Sequence, residues 1–364
     1  MKFTRIALAL ALTGISFGAN ATNGYFGHGY GMKAKGMAGA STTNTDDAFF
    51  GANNPAAAAF AGNRIDLGVD LFSPIREATN GAFGQTVESD SNYFLVPEFG
   101  YNKMLNPNLA LGVTVYGNGG MNTDYRPWLV GANVCGGFPP NTSTNLHCGN
   151  GRLGVDLMQL VVAPTAAYKI APNHSVGISP LLGYQRFKAE GLDFFNYAAM
   201  GSSVSNDGAN LTNNGYDDSF GFGVRVGYLG KITPTVTVGA AYASKMRFKE
   251  FDKYAGLFAE QGDFDIPENY NVGVSWQATP AFKVALDYQR INYSDVKSVG
   301  NSVPNLFGCP MMGGGDGSYC MGGSNGPGFG WDDMNVWKLG AEYKYNSAWT
   351  FRDGYSHTDS PIKG

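Results

Sequence analysis

The sequence predicts an all-β protein, a transmembrane antiparallel β-barrel, and three observations carry that prediction. Segment after segment alternates apolar and polar residues with period two, the pattern of a strand whose faces meet different surroundings. The links between these segments alternate strictly between short and long. Glycine makes up 52 of 364 residues and charged residues 15%, against roughly 7% and 25% in average usage. A soluble sandwich also alternates, with its apolar face on a core. In a barrel that face meets lipid, and the other lines a polar, glycine-rich lumen. Aromatic residues favour the barrel: Tyr228, Tyr242, Trp276, Tyr288, Trp337 and Tyr345 end the apolar faces, as an interfacial girdle would.

Taken in order, the chain opens with Lys2 and Arg5 ahead of an apolar run, Ile6 to Ile15, and a small-x-small step, Ala19-Asn20-Ala21. This is the pattern of a secretory signal peptide over residues 1–21, with the mature chain starting near Thr22. No later run reaches the roughly 18 apolar residues that a membrane helix needs. Residues 22–62 are rich in small side chains and turn chemistry and do not suit a strand. They read as a compact segment that a barrel lumen would hold.

The first strand spans Arg64–Ser73, the second Asn92–Asn102, the third Leu109–Asn118, the fourth Asp156–Lys169 and the fifth Ser175–Phe187. In the sixth, Phe220, Phe222, Val224, Val226 and Tyr228 share one face. In the seventh, Val236 to Tyr242 alternate with Thr235 to Ala241. Tyr270 to Gln277 and Phe282 to Gln289 give the eighth and ninth. Val336 to Tyr345 gives the tenth, and Trp349–Tyr355 the eleventh. These lengths are near the roughly 9–11 residues that a tilted strand needs to cross hydrocarbon. Short links centre on Asn106–Asn108, Ala171–His174, Thr233-Pro234, Thr279-Pro280 and Asn346-Ser347; long ones fall at about 74–91, 119–155, 188–216, 249–267 and 297–333. Short periplasmic turns with long outer loops are a barrel signature, and an even strand number is the rule. Eleven strands therefore read as a C-terminally incomplete barrel over residues 63–364, with an eleven-strand barrel as the alternative.

The stretch "GMKAKGMAGASTTNTDDAFFGANNPAAAAF" supplies a resemblance. Gly31, Gly36 and Gly39, then Asp46-Asp47-Ala48, then Asn54-Pro55-Ala56 resemble the N-terminal hatch of the FadL family of outer-membrane transporters (OmpP1/FadL/TodX). "NSAWTFRDGYSHTDSPI" is similar to a late strand and loop of that family. The resemblance implies fourteen strands in full, about eleven of them present, with residues 22–62 as a hatch plugging the lumen. It also implies passive uptake of hydrophobic molecules, long-chain fatty acids foremost and aromatic hydrocarbons as the alternative. Substrate would be captured at the outer loops and leave sideways through a gap at a kinked third strand. On that reading Asp46, Asp47, Asn54, Pro55 and Ala56 belong to the gate. Gly117, Gly119 and Gly120, which interrupt the third strand's alternation, would mark the lateral-opening kink, since glycines in strands mark bulges and bends. An ordinary loop start is the other reading of those glycines.

A fatty acid would need a lumen cation for its carboxylate. Parity turns Arg225, Lys245, Arg247, Lys283, Lys338 and Lys344 to the lumen, and Arg225, Lys245 and Arg247 are the candidates. The other reading pairs lumen cations with Asp66, Asp70, Glu98, Asp287 and Glu342. A basic position that follows the fifth strand in the best-studied member of that family has no clear match here, where "FKAEGL" puts Gly191 at about that place, which counts against a fatty acid. Parity aims Asp353 at lipid.

Four cysteines suit an oxidising compartment, and the pairs Cys135–Cys148 and Cys309–Cys320 each lie within one long loop. The "GCPMMGGGDGSYCMGG" loop reads as flexible, and 192–211 as able to hold a short helix. Four scattered histidines match no metal site and, on an outer rim, no catalytic set. No cofactor and no enzyme is expected. With a net charge of −4, nothing argues for nucleic acid as a partner. Expected partners are hydrophobic small molecules, outer-membrane lipids and the barrel-assembly machinery, with a monomer in the outer membrane of a Gram-negative cell. The rival from another class is a barrel enzyme such as a protease or phospholipase, for which the histidines form no set; a general porin or an adhesive barrel is the third reading.

Overall fold

The computed structural model describes residues 22–80, 85–127, 145–147, 149–196 and 203–362. The expected signal peptide, 1–21, lies outside them. Eleven wall strands follow one another in chain order: β1 Arg64–Phe72, β2 Phe94–Met104, β3 Leu109–Tyr125, β4 Leu153–Ala171, β5 His174–Glu190, β6 Asp217–Lys231, β7 Val236–Ala243, β8 Asn269–Thr279, β9 Phe282–Ile291, β10 Met334–Lys344 and β11 Thr350–Thr358. Each pairs antiparallel with its chain neighbours. The sheet curls into a nearly closed barrel; among the described residues no ladder joins β1 to β11.

Period-two patterning sets the two faces. On β1, Ile65, Leu67, Val69 and Leu71 are 60–78% exposed, while Asp66 and Asp70 on the other face reach the N-terminal segment. Trp276, Trp337 and Tyr345 are more than half exposed on the outward register, and Asp353 is exposed there as parity requires. The short turns are closed by side chains that stand in for backbone. Asn106 Oδ1 accepts from Asn108 and Leu109 N–H at 2.9 Å. Asn346 Oδ1 does the same for Ala348 and Trp349, and Thr233 Oγ1 for Thr235 and Val236. Asn and Thr are turn formers for this reason.

Residues 22–62 lie inside the curl. Ala48, Phe50 and Ala56–Ala59 are fully buried against Ala110, Ala167 and Leu229 of β3, β4 and β6. Burying an aromatic side chain of this kind is worth roughly 1.5–3 kcal/mol. The glycine-rich lumen face is what lets the segment in: a Cβ at Gly177 would stand 2.4 Å from the Pro55 carbonyl carbon, and one at Gly354 2.4 Å from that of Met37.

Two expectations are corrected. The third strand does not end at Asn118 but runs on to Tyr125, because Gly117–Gly120 bend it without ending it. The Cys309 loop is not a featureless flexible loop; its turns Val303–Gly308, Pro310–Met312 and Gly317–Tyr319 are 3-10 helical and stapled by a disulfide. Within 192–211 the described residues hold two short 3-10 turns, Asp193–Asn196 and Gly208–Asn210.

Candidate functional site

The lumen segment is tied to the wall by named polar contacts. Asn54 is its hub. Its Oδ1 caps the following turn by accepting from Ala56 N–H (3.1 Å), and its Nδ2 donates to the carbonyls of Thr42 and Tyr228 (both 2.9 Å). Pro55 takes the first position of that turn, where its missing N–H costs nothing. Ser175 Oγ donates to Ala56 O at 2.8 Å, and Asn102 Nδ2 to Ala58 O and Gly62 O at 2.9 and 2.8 Å. Asp46 pairs with Lys283 at 3.3 Å. Asp47 closes its own turn, accepting from Phe49 N–H (3.0 Å) and Asn44 Nδ2 (2.6 Å).

Two further sets of contacts tie the segment to strands three apart in the wall. Asp287 on β9 accepts from Ser41 N–H (2.7 Å), Thr42 N–H (2.8 Å) and Thr42 Oγ1 (2.7 Å), all through Oδ2. Arg225 on β6 donates to the carbonyls of Gly51, at 3.0 Å, and Ala52. On the near side Glu98 accepts from Gly31 N–H and Lys35 Nζ, which also reaches Asp70 at 3.3 Å.

The wall itself has a window. Pairing of β2 with β3 ends at Phe99↔Val115, yet β3 continues ten residues further, to Tyr125. Asn118 is bulged out of the β3–β4 register between Gly117 and Gly119, and a bulge bends its strand. The vacant edge is met from inside by the start of the N-terminal segment: Phe26 pairs with Gly119, and Gly120 N–H donates to Tyr25 O. Only glycine permits this approach, since a Cβ at Gly119 would lie 1.9 Å from Tyr25 O. Above the window Arg126 and Arg152 grip Asp90, and Arg152 also grips Asp124. These guanidiniums hold the Asp90 carboxyl down to about 2. Below, Val96 covers Gly117.

Behind the window lies one buried apolar cluster. It joins Tyr25, Phe26 and Tyr30 of the segment to Tyr116, Leu157, Val161 and Phe187 of the wall. Phe251, Tyr254, Phe258, Phe264 and Tyr293 close it from the outer loops. A file of buried amides runs beside it: Asn118 to Gln159, Gln159 to Gln185, and Gln185 to the carbonyl of Phe264. The kink is thereby linked to the outer loop. Sequence reading missed this aromatic cluster because its members come from separate loops; the spacing of Phe248, Phe251, Tyr254 and Phe258 is the signal that was there.

Of the candidate carboxylate ligands, Lys245 and Arg247 share one pocket and Arg225 lies apart from them. Arg225 faces the lumen as expected but is spent on segment carbonyls. Arg247 faces outward, opposite Phe222, against the parity expectation. Between Arg225↔Ala243 and Phe222↔Arg247, β6 has two residues and the other strand three, and one extra residue reverses every later side chain. Lys245 donates to Asp295 O at 3.1 Å. With Arg247, Tyr242, Phe222 and Glu268 it lines an open pocket of about 560 Å³ on the outward side. The remaining lumen cations follow the alternative reading: Arg352 pairs with Glu342 at 2.7 Å, and Lys283 with Asp46 and Glu342. Lys338 donates to Gln289 Oε1 at 2.7 Å. Cys309 and Cys320 are bonded; the pair Cys135–Cys148 lies outside the described residues. Among those residues no group of His, Cys, Asp and Glu could hold a metal.

A family model described as "Outer membrane protein transport protein (OMPP1/FadL/TodX)" matches residues 19–364. The fold resembles the toluene transporter TbuX of Ralstonia pickettii, at 20% identity and a TM-score of 0.63 over 91% of this chain and 87% of that one. It resembles the P. putida toluene transporter TodX at 20% and 0.65, over 91% and 84%. It also resembles a Pseudomonas aeruginosa FadL homologue at 15% and 0.61, over 93% and 82%. A sequence comparison with curated proteins finds no match.

Proposed function

The chain belongs to the OMPP1/FadL/TodX family of outer-membrane transport proteins, channels for hydrophobic compounds, and on that premise we propose that it takes up small uncharged hydrophobic molecules. They enter the aromatic cluster beneath the outer loops and leave sideways through the β2–β3 window. Residues 22–62 act as the hatch, and only its first turns, 22–30, need to shift. The observation that carries the reading is the β3 edge, which has no ladder to β2 above Val115; its outer tip is met by the isolated bridge Ser89↔Tyr125 and the window itself by the hatch bridge Phe26↔Gly119. That contact is far weaker than a ladder, so an apolar solute can displace it without breaking the wall.

Uncharged solutes are favoured over fatty acids because Arg225, Lys283, Lys338 and Arg352 are each engaged within the protein. A carboxylate brought among them would have to displace an existing bond. The aromatic lining supports the same choice, as ring faces and edges stack well on aromatic guests. The chain works as a monomer, with outer-membrane lipid receiving the product.

The test is uptake of labelled toluene and of labelled oleate by cells carrying the chain, compared with a Val96→Cys, Gly117→Cys variant whose disulfide closes the window. Toluene uptake that falls on oxidation and returns on reduction supports the route. Oleate uptake without toluene uptake would overturn the choice of substrate. Uptake of neither would overturn the channel reading.

A further inference from the structure

The β4–β5 ladder is broken in the middle of the wall. Pairing holds up to Val162↔Leu182 and resumes at Ala166↔Ile178, with nothing between. The skipped centre is Pro164 opposite Pro180. In an antiparallel ladder facing residues alternate between pairs that exchange two hydrogen bonds and pairs that exchange none. Loss of all three registers follows if the proline pair is one that should exchange two, since neither residue has an N–H. Both prolines keep their register on the far side, with Val113 and Val224, so the break is confined to this seam.

Proline in a central strand pair contradicts the rule that confines it to edges and bulges, and two facing each other contradict it twice. Such violations concentrate at functional sites. Here both rings are exposed on the lipid-facing register. Their two carbonyls have no ladder donor opposite, at a depth where water is absent. On the lumen side the strands are held by one hydroxyl pair, Thr165 Oγ1 and Ser179 Oγ at 2.6 Å. Ala163 and Leu181, beside the seam, belong to the same apolar cluster as Tyr25, Tyr116 and Phe187. The seam therefore joins the aromatic interior to the bilayer directly, with only the Gly51 turn, held by Arg225, behind Ala163.

We propose that the Pro164/Pro180 seam is a second lateral exit, through which uncharged apolar solutes pass between β4 and β5 into the bilayer. The proposal rests on the channel reading above. Its solute has no net charge, because the opening offers two carbonyls and two hydroxyls, and the cation beside it, Arg225 opposite Ser179, is held by the carbonyls of Gly51 and Ala52. Solutes carrying one hydrogen-bond donor, such as phenols, gain most from the two carbonyls.

The experiment uses the window-locked Val96→Cys, Gly117→Cys protein in its oxidised form, with and without Pro164→Val and Pro180→Val, and follows uptake of toluene and of phenol. The valines supply the missing N–H groups and suit an exposed strand, so the barrel folds; the heat-induced mobility shift of a folded barrel on gels checks this. The expected result is residual toluene uptake in the locked protein that falls at least fivefold when the valines are added, with phenol falling further. Uptake abolished by the window lock alone, or residual uptake that the valines leave unchanged, overturns the proposal. If the unlocked wild type moves no toluene, the channel reading itself has failed. A Pro164→Ala single variant, which restores one donor, should fall between.

Discussion

Replacing Arg225 with methionine removes two charge-assisted donors from Gly51 and Ala52 while keeping the bulk of the side chain. Hydrogen bonds to charged groups are worth about 1.5–3 kcal/mol each. Both carbonyls are buried at this point, so about 3–6 kcal/mol of tethering is expected to disappear. At about 1.4 kcal/mol per tenfold, the population with the Gly51 turn displaced rises by 10²-fold or more. The barrel wall is untouched, because the backbone pairing of Arg225 with Ser179 and Ala243 does not involve the side chain. The assay is leak: sensitivity of cells to a large hydrophilic antibiotic, and conductance of the purified protein in planar bilayers. Both are expected to rise while the protein stays folded and toluene uptake is kept or increased. The reasoning is refuted if Arg225→Met leaves conductance unchanged and instead abolishes oleate uptake. That pattern belongs to a cation that binds a carboxylate.

Asp287→Ala strands two backbone N–H groups and a hydroxyl in a dry place; unpairing a buried charged network costs about 3–5 kcal/mol, and a lower thermal midpoint with increased proteolysis of residues 22–62 is expected. Burial, with Asp265 and Glu260 beside it and Lys245 opposing, pushes the Asp263 carboxyl up to about 7. The folded outer loop thus holds a proton that the unfolded loop releases above about 4. Its stability is full below that value and declines as pH rises through 7. Protection factors of residues 249–267, with the intrinsic pH dependence of amide exchange divided out, should be larger at pH 5.5 than at pH 8, and Asp263→Asn should remove that difference. Replacing Cys309 and Cys320 with serine reopens a short loop, worth about 2–4 kcal/mol, so protease nicking between 303 and 325 should increase with no change in barrel assembly.

The strands were legible because period-two alternation is local and repeats along the chain: Phe220, Phe222 and Val226 point outward as read. Alternation fails where the residue count changes. The extra residue among Ser244–Met246 turned Arg247 to the opposite face, and neither glycine nor proline marks that bulge. The third strand reads short because Gly117, Gly119 and Gly120 mimic a loop start, although Gly119 and Gly120 meet the Tyr25 backbone and Gly117 lies under Val96. Arg225 faces the lumen as parity requires, and its side chain donates to carbonyls of the N-terminal segment. Its acceptors are carbonyls 174 and 173 positions away, and no pattern in a sequence announces which backbone oxygens a side chain will reach. The proline pair was visible in "VAPTAAY" and "ISPLLGY" but acquires meaning only once the two strands are in register.

The bonds of Ser41 and Thr42 to Asp287 cross 246 and 245 positions of chain. Every wall strand, by contrast, pairs with its neighbour in sequence. Hairpins of the wall can therefore close early and locally, whereas bringing distant segments together carries a larger loop-closure cost and is slow. The portion synthesised first must then be among the last to find its partners. Until β9 arrives it has nothing to grip on that side. Assembly of this molecule runs inward, against the order of translation, and a defect at Asp287 would be felt as a late delay in maturation as well as a looser finished product.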